Sequence, residues 1–243
     1  MSLDALPGLR GAPTVTAAQM AEADRICVDE LAIGLEMLME NASRQIAAAA
    51  RALLGDVSGK RVVALAGSGN NGGDALGAIR HLRGWGAYVA GVVSSPIEKL
   101  RPLPRRQYEI LRRIGVAPPD ADAVDRADLL LDGLLGYSVS GPPRGPVAEL
   151  IRAANTSGVP ILGIDLPSGL DPDSGAPLGV AIRAAATVTL ALPKRGLVAA
   201  GSRNLVGELL LADIGIPSEA FARVGIDTRR VFERGDLLRI IPA

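Results

Sequence analysis

Between Gly67 and Asp74 the chain reads GSGNNGGD: four glycines, two adjacent asparagines and a carboxylate. Glycines let backbone N–H groups come close to an anion, and a helix opening at the same point adds partial positive charge. Asn70, Asn71 and Asp74 add amide donors, amide acceptors and a carboxylate, which a bare phosphate cradle does not need. Gly67, Gly69 and Gly72 satisfy G-x-G-x-x-G, the spacing of a dinucleotide fingerprint. That fingerprint expects an acid about 20 residues on, at the end of the second strand, to hold a ribose. Here the next apolar run ends GVVSSP and the first acid beyond it is Glu98. A P-loop would continue Gly-Lys-Ser/Thr where Gly73-Asp74-Ala75 stands. On residues alone a plainer alternative stays open, with Asp74 capping a helix and the asparagines serving a turn.

Two further stretches carry chemistry. In IDLPSGLDPDSG (164–175) Asp165 ends an apolar run, where a partly desolvated carboxylate suits proton transfer. Pro167, Ser168 and Gly169 then turn the chain, and Asp171, Asp173 and Ser174 read as solvent-facing turn formers. In LLDGLLGYSVSGPPRGPVAELI (130–151) Asp132 closes another apolar run. The Gly- and Ser-rich loop after it, Gly136 to Pro142, precedes a helix near Val147 and is a second backbone segment able to receive an anion.

Composition narrows the field. One cysteine, Cys27, allows no internal disulfide, and one histidine, His81, leaves no set for a structural zinc site. A Ser-His-Asp triad would have to use His81, which lies in a helical pattern and reads as packing. Lys plus Arg (26) equals Asp plus Glu (26), and aromatic residues are 2% of the chain. Neither nucleic acid nor an anionic membrane surface is advertised. The first residues, MSLDALPGLRGAP, lack a basic start followed by an apolar stretch, so a cytoplasmic setting is the expectation. Chemistry here rests on carboxylates, amides, hydroxyls and backbone.

These residues need elements to hold them. Helical spacing predicts a helix over 14–32 with Thr16 as N-cap, and a second over 35–54 between Gly34 and Gly55. Apolar runs follow at 61–67, 87–95, 127–136, 159–167, 185–192 and 207–217, with helical patterns between most of them. Runs that are apolar throughout suit strands covered on both faces, and the strand–helix alternation predicts a doubly wound, mostly parallel sheet. The expectation is one domain over 1–243 with a helical N-terminal extension. In such a sheet the three chemical segments sit on one rim, at the carboxyl ends of their strands.

LMENA (38–42), GSGNNGGDALGAIRHL (67–82), DGLLG (132–136), DLPSGLDPDSG (165–175), PKRGL (193–197) and ADIGIP (212–217) occur in this order. Together they resemble the NAD(P)H-hydrate epimerases, the YjeF N-terminal domain family, over about 14–217. The resemblance implies a Rossmann-like three-layer α/β/α sandwich, commonly dimeric. It implies interconversion of the R and S epimers of hydrated NADH or NADPH, with the S form repaired by a separate ATP- or ADP-dependent dehydratase. By matching motifs, Asn70, Asn71, Gly72, Gly73 and Asp74 would touch the substrate. So would Gly136, Tyr137, Ser138, Val139, Ser140, Gly141 and Pro142, and Asp165, the candidate acid/base. Asn71, Asp132 and Ser168 would bind a potassium ion through oxygen.

Ser68 and Ala75 stand where the family usually carries Pro and Gly; Ala75 is expected to narrow the approach to the loop. GDLLRIIPA (235–243) resembles the joint that leads into a dehydratase in fused proteins, which leaves two expectations open: a standalone epimerase, or the first half of a bifunctional one with 225–243 as the linker toward its dehydratase domain. Two other functions compete. One is a family member that keeps the fold as a catalytically silent binding or scaffold domain. The other is an ordinary NAD-dependent dehydrogenase, against which the missing ribose acid argues.

Overall fold

A computed structural model of the chain describes residues 2–138 and 141–242. The six apolar runs are six parallel strands: β2 (Arg61–Ala66), β3 (Tyr88–Val93), β4 (Leu129–Gly133), β5 (Ile161–Ile164), β6 (Ala186–Leu190) and β7 (Glu208–Ala212). Two strands not expected from the sequence extend the far edge. Leu237–Ile240 (β8) pairs antiparallel with β7, and the two-residue β1 (Gly8–Leu9) pairs parallel with β8. Both are too short to show periodicity, and Arg239 interrupts the apolar run of β8. The stretch read as a linker, 225–243, thus contributes β8 to the sheet.

The sheet order is β1-β8-β7-β6-β5-β4-β2-β3. Helices α2 (Leu35–Leu54) and α3 (Asn70–Gly84) cover one face, and α5 (Gly145–Thr156) covers the other. Strand β2 shows why both faces must be covered. Val62, Ala64 and Ala66 pack with Ile46, Leu76 and Ile79, while Val63 and Leu65 pack with Ile151 and Ala154. Alternate side chains point to opposite faces, and both sets are apolar. The remaining helices are α1 (Ala17–Arg25), α4 (Pro102–Arg113), α6 (Arg203–Val206) and α7 (Ser218–Arg223). Among the described residues no helix is long and apolar enough to cross a membrane.

The first helix starts as the sequence predicts. Thr16 Oγ1 accepts from Gln19 N at 3.1 Å and Gln19 Oε1 accepts from Thr16 N at 3.0 Å, a reciprocal cap. Asp173 from the distant turn adds to it by accepting from Ala17 N at 2.8 Å. The α-helix is shorter than expected, however. After Arg25 it widens into a π-turn over Ile26–Glu30, with Leu31 N bonded to Ile26 O at 3.0 Å. Ala32, at φ 57°, then takes the left-handed backbone that turns the chain toward α2.

From β2 the chain goes outward to β3, then returns to place β4 on the other side of β2. Neighbouring strands β2 and β4 therefore send their chains in opposite directions, and the crevice beyond their carboxyl ends is where such sheets bind ligands. The glycines of GSGNNGGD serve this crevice in three ways. A Cβ at Gly67 would lie 1.9 Å from the Leu134 carbonyl oxygen, and one at Gly72 would lie 2.1 Å from that of Gly67. Gly69, by contrast, has nothing within 4 Å of an added Cβ. Gly73 and Gly77 press α3 onto α2, where an added Cβ would meet Met39 at 2.7 Å and Ser43 Oγ at 2.1 Å. Substitution should separate these roles. Gly67→Ala and Gly72→Ala should each cost roughly 2 kcal/mol or more in urea unfolding, because backbone cannot yield as a side chain can. Gly69→Ala should unfold at the same midpoint as the wild type.

Candidate active site

A cavity of about 370 Å³ opens at this crevice. Its lining comes from the carboxyl ends of successive strands: Gly69, Asn70, Asn71 and Asp74 after β2, Gly136 to Ser138 after β4, Asp165 after β5, and Lys194 after β6. Helices α1 and α2 wall it with Met20, Asp24, Leu38 and Met39, and Arg101 stands exposed at its rim. The lining combines apolar side chains with a few titratable groups, which is the make-up of a small-molecule site.

Asp165 is buried, and its carboxylate is ion-paired with the Lys194 ammonium. Lys194 is 1% exposed. Its Nζ also donates to Leu190 O at 3.1 Å and lies 5.5 Å from the centre of the Tyr137 ring. The backbone under this pair is unusual. Asp165 has φ 66° and centres a three-residue turn, with Leu166 N bonded to Ile164 O at 2.8 Å. Ala191 has φ 64° and centres a matching turn, with Leu192 N bonded to Leu190 O at 2.8 Å. γ-Turns of positive φ are rare and strained. Ladder hydrogen bonds hold them: Asp165 N to Val188 O at 2.8 Å, and Ala191 N to Ala212 O at 2.9 Å.

Two more carboxyls share the cavity. Asp24 accepts from Tyr137 Oη at 2.5 Å. Burial raises its pKa, while the Tyr137 hydrogen bond and the Lys194 charge oppose that rise. Tyr137 is raised too, by burial and by Asp24. Asp74 is 7% exposed and is pushed well above the usual carboxylate range, first by burial and then by the charges of Asp165 and Asp24.

Behind the cavity lies a buried polar cluster. Asp132, in β4 and fully buried, accepts from Ser168 Oγ at 2.6 Å, from Ser168 N at 2.7 Å and from Leu134 N at 3.3 Å. Burial pushes its pKa up to about 6, against the pull of those donors. Asn71 Nδ2 donates to Leu135 O at 2.9 Å and Ile164 O at 3.1 Å, and Ser168 Oγ accepts from Leu135 N at 2.9 Å. Asn71, Asp132 and Ser168 thus form one network spanning three chain segments.

Of the residues singled out in the sequence, the structure brings Asn70, Asn71, Asp74, Gly136, Tyr137, Ser138 and Asp165 to the cavity. Gly72 and Gly73 do not line it; they are packed against Gly67 and Met39. Gly141 and Pro142 are exposed away from its lining. Val139 and Ser140 lie outside the described residues. Ala75 faces the sheet rather than the loop, since a Cβ at Gly133 would fall 2.6 Å from its Cβ. His81 lies off the cavity, with Nε2 3.1 Å from Glu40. Sequence reasoning missed Lys194 and Asp24 as site residues. PKRGL offered a signal for Lys194, one of three lysines in the chain, directly after an apolar strand. Asp24 offered none, sitting among charged neighbours on a surface helix.

The model of the family described as YjeF-related protein N-terminus matches residues 35–196. A Dehalogenimonas lykanthroporepellens protein named NAD(P)H-hydrate epimerase is 40% identical over 230 residues, 93% of this chain and 92% of its own. One of the same name from Pirellula staleyi is 39% identical over 206 residues, 78% of this chain and 89% of its own. A Moorella thermoacetica protein named bifunctional NAD(P)H-hydrate repair enzyme is 37% identical over 219 residues. The chain spans 41% of that relative's length. The fold is similar to the crystal structure of yeast ynu0, with a TM-score of 0.79 and 24% identity over 93% of this chain and 99% of that one. At that identity the likeness is one of fold. The family match covers most of the chain and the epimerase relatives are matched nearly end to end, so the chain belongs to the YjeF-related protein N-terminus family.

Proposed function

We propose that the chain is an NAD(P)H-hydrate epimerase, interconverting the R and S forms of hydrated NADH and NADPH, with Asp165 moving the proton. The observation that carries this reading is a buried carboxylate, Asp165, at a cavity on the switch point of the sheet, paired with an equally buried Lys194. Relatives matched over nearly their whole length bear the same activity in their names. The cavity suits the hydrated nicotinamide ring, with the open backbone at Gly69 and Asn70 left for the substrate's phosphates.

Epimerisation requires the hydroxyl-bearing ring carbon to lose and regain its configuration. Departure of the hydroxyl to leave a ring iminium, followed by water addition on the other face, is one route. Ring opening and reclosure is the other. Either needs a proton donor and acceptor beside the hydroxyl, a contribution of about 10²–10⁴ in rate. The Lys194 contact and the ladder-held turn fix where Asp165 presents its oxygens.

A potassium ion fits the donor set of the cluster behind the cavity. Asp132 is a fully buried carboxylate among neutral donors only, and holding it ionised at neutral pH costs on the order of 3 kcal/mol. A monovalent cation would offset that cost. Asn71, Asp132 and Ser168 would hold it through amide, carboxylate and hydroxyl oxygens. Turning the Asn71 amide over would bring its oxygen to the place where its nitrogen stands. The bound ion would supply positive charge and keep the loops after β2, β4 and β5 in register. The same reading includes a cytoplasmic homodimer whose product passes to an ATP- or ADP-dependent dehydratase.

The assay is epimerisation of R-hydrated NADH. Asp165→Asn should lower kcat by about 10²–10⁴-fold. It should also destabilise the protein by about 3 kcal/mol, because it strands the buried Lys194 charge. The double variant D165N/K194M should regain stability in urea and stay inactive. Near-full activity in Asp165→Asn would remove Asp165 from the reaction. A wild type that binds substrate without turnover would favour the silent binding domain. Exchanging potassium for lithium should raise the apparent KM, and a KM indifferent to the cation would argue against an ion at Asn71, Asp132 and Ser168.

A further inference from the structure

Three carboxyls line the cavity, and they stand in three different states of partnership. Asp165 is paired with Lys194, and Asp24 receives the Tyr137 hydroxyl. Asp74 has neither. Its backbone carbonyl accepts from Ser43 Oγ at 3.2 Å, but among the described residues nothing donates to its carboxyl. Yet the residue is only 7% exposed, and it lines the cavity. A residue nine-tenths buried, whose carboxyl has no donor among the described residues and lines a ligand cavity, points to a partner in the ligand. Capping does not account for it either, because Asp74 lies well inside α3 rather than at its start.

We propose that Asp74 is a second catalytic residue, the acid that protonates the departing hydroxyl, working opposite Asp165 as the base. The inference rests on the epimerase reading. Burial and the charges of Asp165 and Asp24 favour the neutral, proton-bearing form of Asp74. Asp165 faces an ammonium instead. Two carboxyls with divergent surroundings in one cavity divide into acid and base.

The step balances as follows. Asp74 gives its proton to the substrate hydroxyl. The carbon–oxygen bond breaks and its electron pair leaves with oxygen as water, while the ring nitrogen's lone pair closes the iminium. Water adds to the other face of the carbon and gives up one proton to Asp165. That proton returns to Asp74 through water in the cavity. Nothing is oxidised or reduced, and one water is lost and one gained.

Asp74→Asn keeps size and hydrogen bonding and removes the transferable proton. With R-hydrated NADH its kcat should fall about 100-fold or more with KM unchanged. The groups facing Asp74 across the cavity are Asp24, Arg101, Tyr137, Asp165 and Lys194. An acid must carry its proton, so wild-type kcat should fall as pH rises through the Asp74 titration, and this alkaline limb should vanish in Asp74→Asn. Infrared difference spectra without substrate add a second readout: a protonated-carboxyl band in the wild type that is lost as pH rises with the alkaline limb and is missing from the variant. A variant with wild-type rate and an intact alkaline limb overturns the proposal while leaving the epimerase reading standing. So does the absence of a protonated band in the wild type. A wild type that does not epimerise overturns both. Should the variant fail to fold, the wild-type band decides: it must titrate with the alkaline limb, and a mismatch overturns the assignment.

Discussion

The contact on which the site depends is the ion pair between Asp165 and Lys194. Burying an ammonium at 1% exposure is tolerable only beside an anion and with a further acceptor in reach. The fold supplies both at the junction of β5 and β6. Asp165 leaves β5 in a left-handed turn, and Leu190 at the end of β6 offers its carbonyl. The two turns repeat one another on adjacent strands, and each is anchored to the strand beyond it. Backbone strain of this kind persists where neighbours over-determine it, and here the neighbours are the sheet's own hydrogen bonds. Isolated buried pairs often contribute little to stability, so holding this one in place is better read as positioning than as reinforcement.

The same logic runs through the loop after β2. Gly67 and Gly72 are there because backbone meets backbone, at separations that exclude a methyl group. Gly73 and Gly77 let α2 come close enough for Ser43 to reach the Asp74 carbonyl. Only Gly69 leaves open space. One run of glycines therefore performs three tasks: closing the β2–β4 junction, seating α3 on α2, and leaving bare backbone toward the cavity. This explains why a literal G-x-G-x-x-G can occur without the ribose acid of a dinucleotide fold. Two of its three glycines answer to packing.

Much of this was legible in the sequence, for identifiable reasons. Strands β2 to β7 announced themselves because parallel strands are apolar on both faces, and Thr16 announced the start of α1. The convergence of Asn71, Asp132, Asp165 and Ser168 followed from strand ends sharing a rim. What stayed hidden was tertiary. The strand at 237–240 needs β7 beside it to exist. The widened turn at 26–30 carries no local mark. Lys194 looked like any lysine after a strand until its burial was known. Asp24 became a site residue only because Tyr137 from a distant loop reaches it. Gly72 and Gly73 sat inside the motif, yet they face away from the cavity because α3 turns as it leaves the loop.

The charge arrangement of the cavity bears on the chemistry it can support. Asp24, Asp74 and Asp165 share it with one buried cation, Lys194, while Arg101 stands at the rim. With Asp74 neutral, the resting cavity carries little excess charge and a neutral ring can enter without penalty. When Asp74 releases its proton, a carboxylate forms at the moment the ring becomes a cationic iminium. Negative charge then appears where positive charge develops, in a walled cavity where such interactions are stronger than in water. Recapture of the proton after water addition erases both charges together. A permanently ionised acid at this position would bind the cation but could not start the reaction, and an amide could do neither. The burial that makes Asp74 costly to ionise in the empty cavity is thus the same property that lets it act only when the substrate supplies the opposite charge.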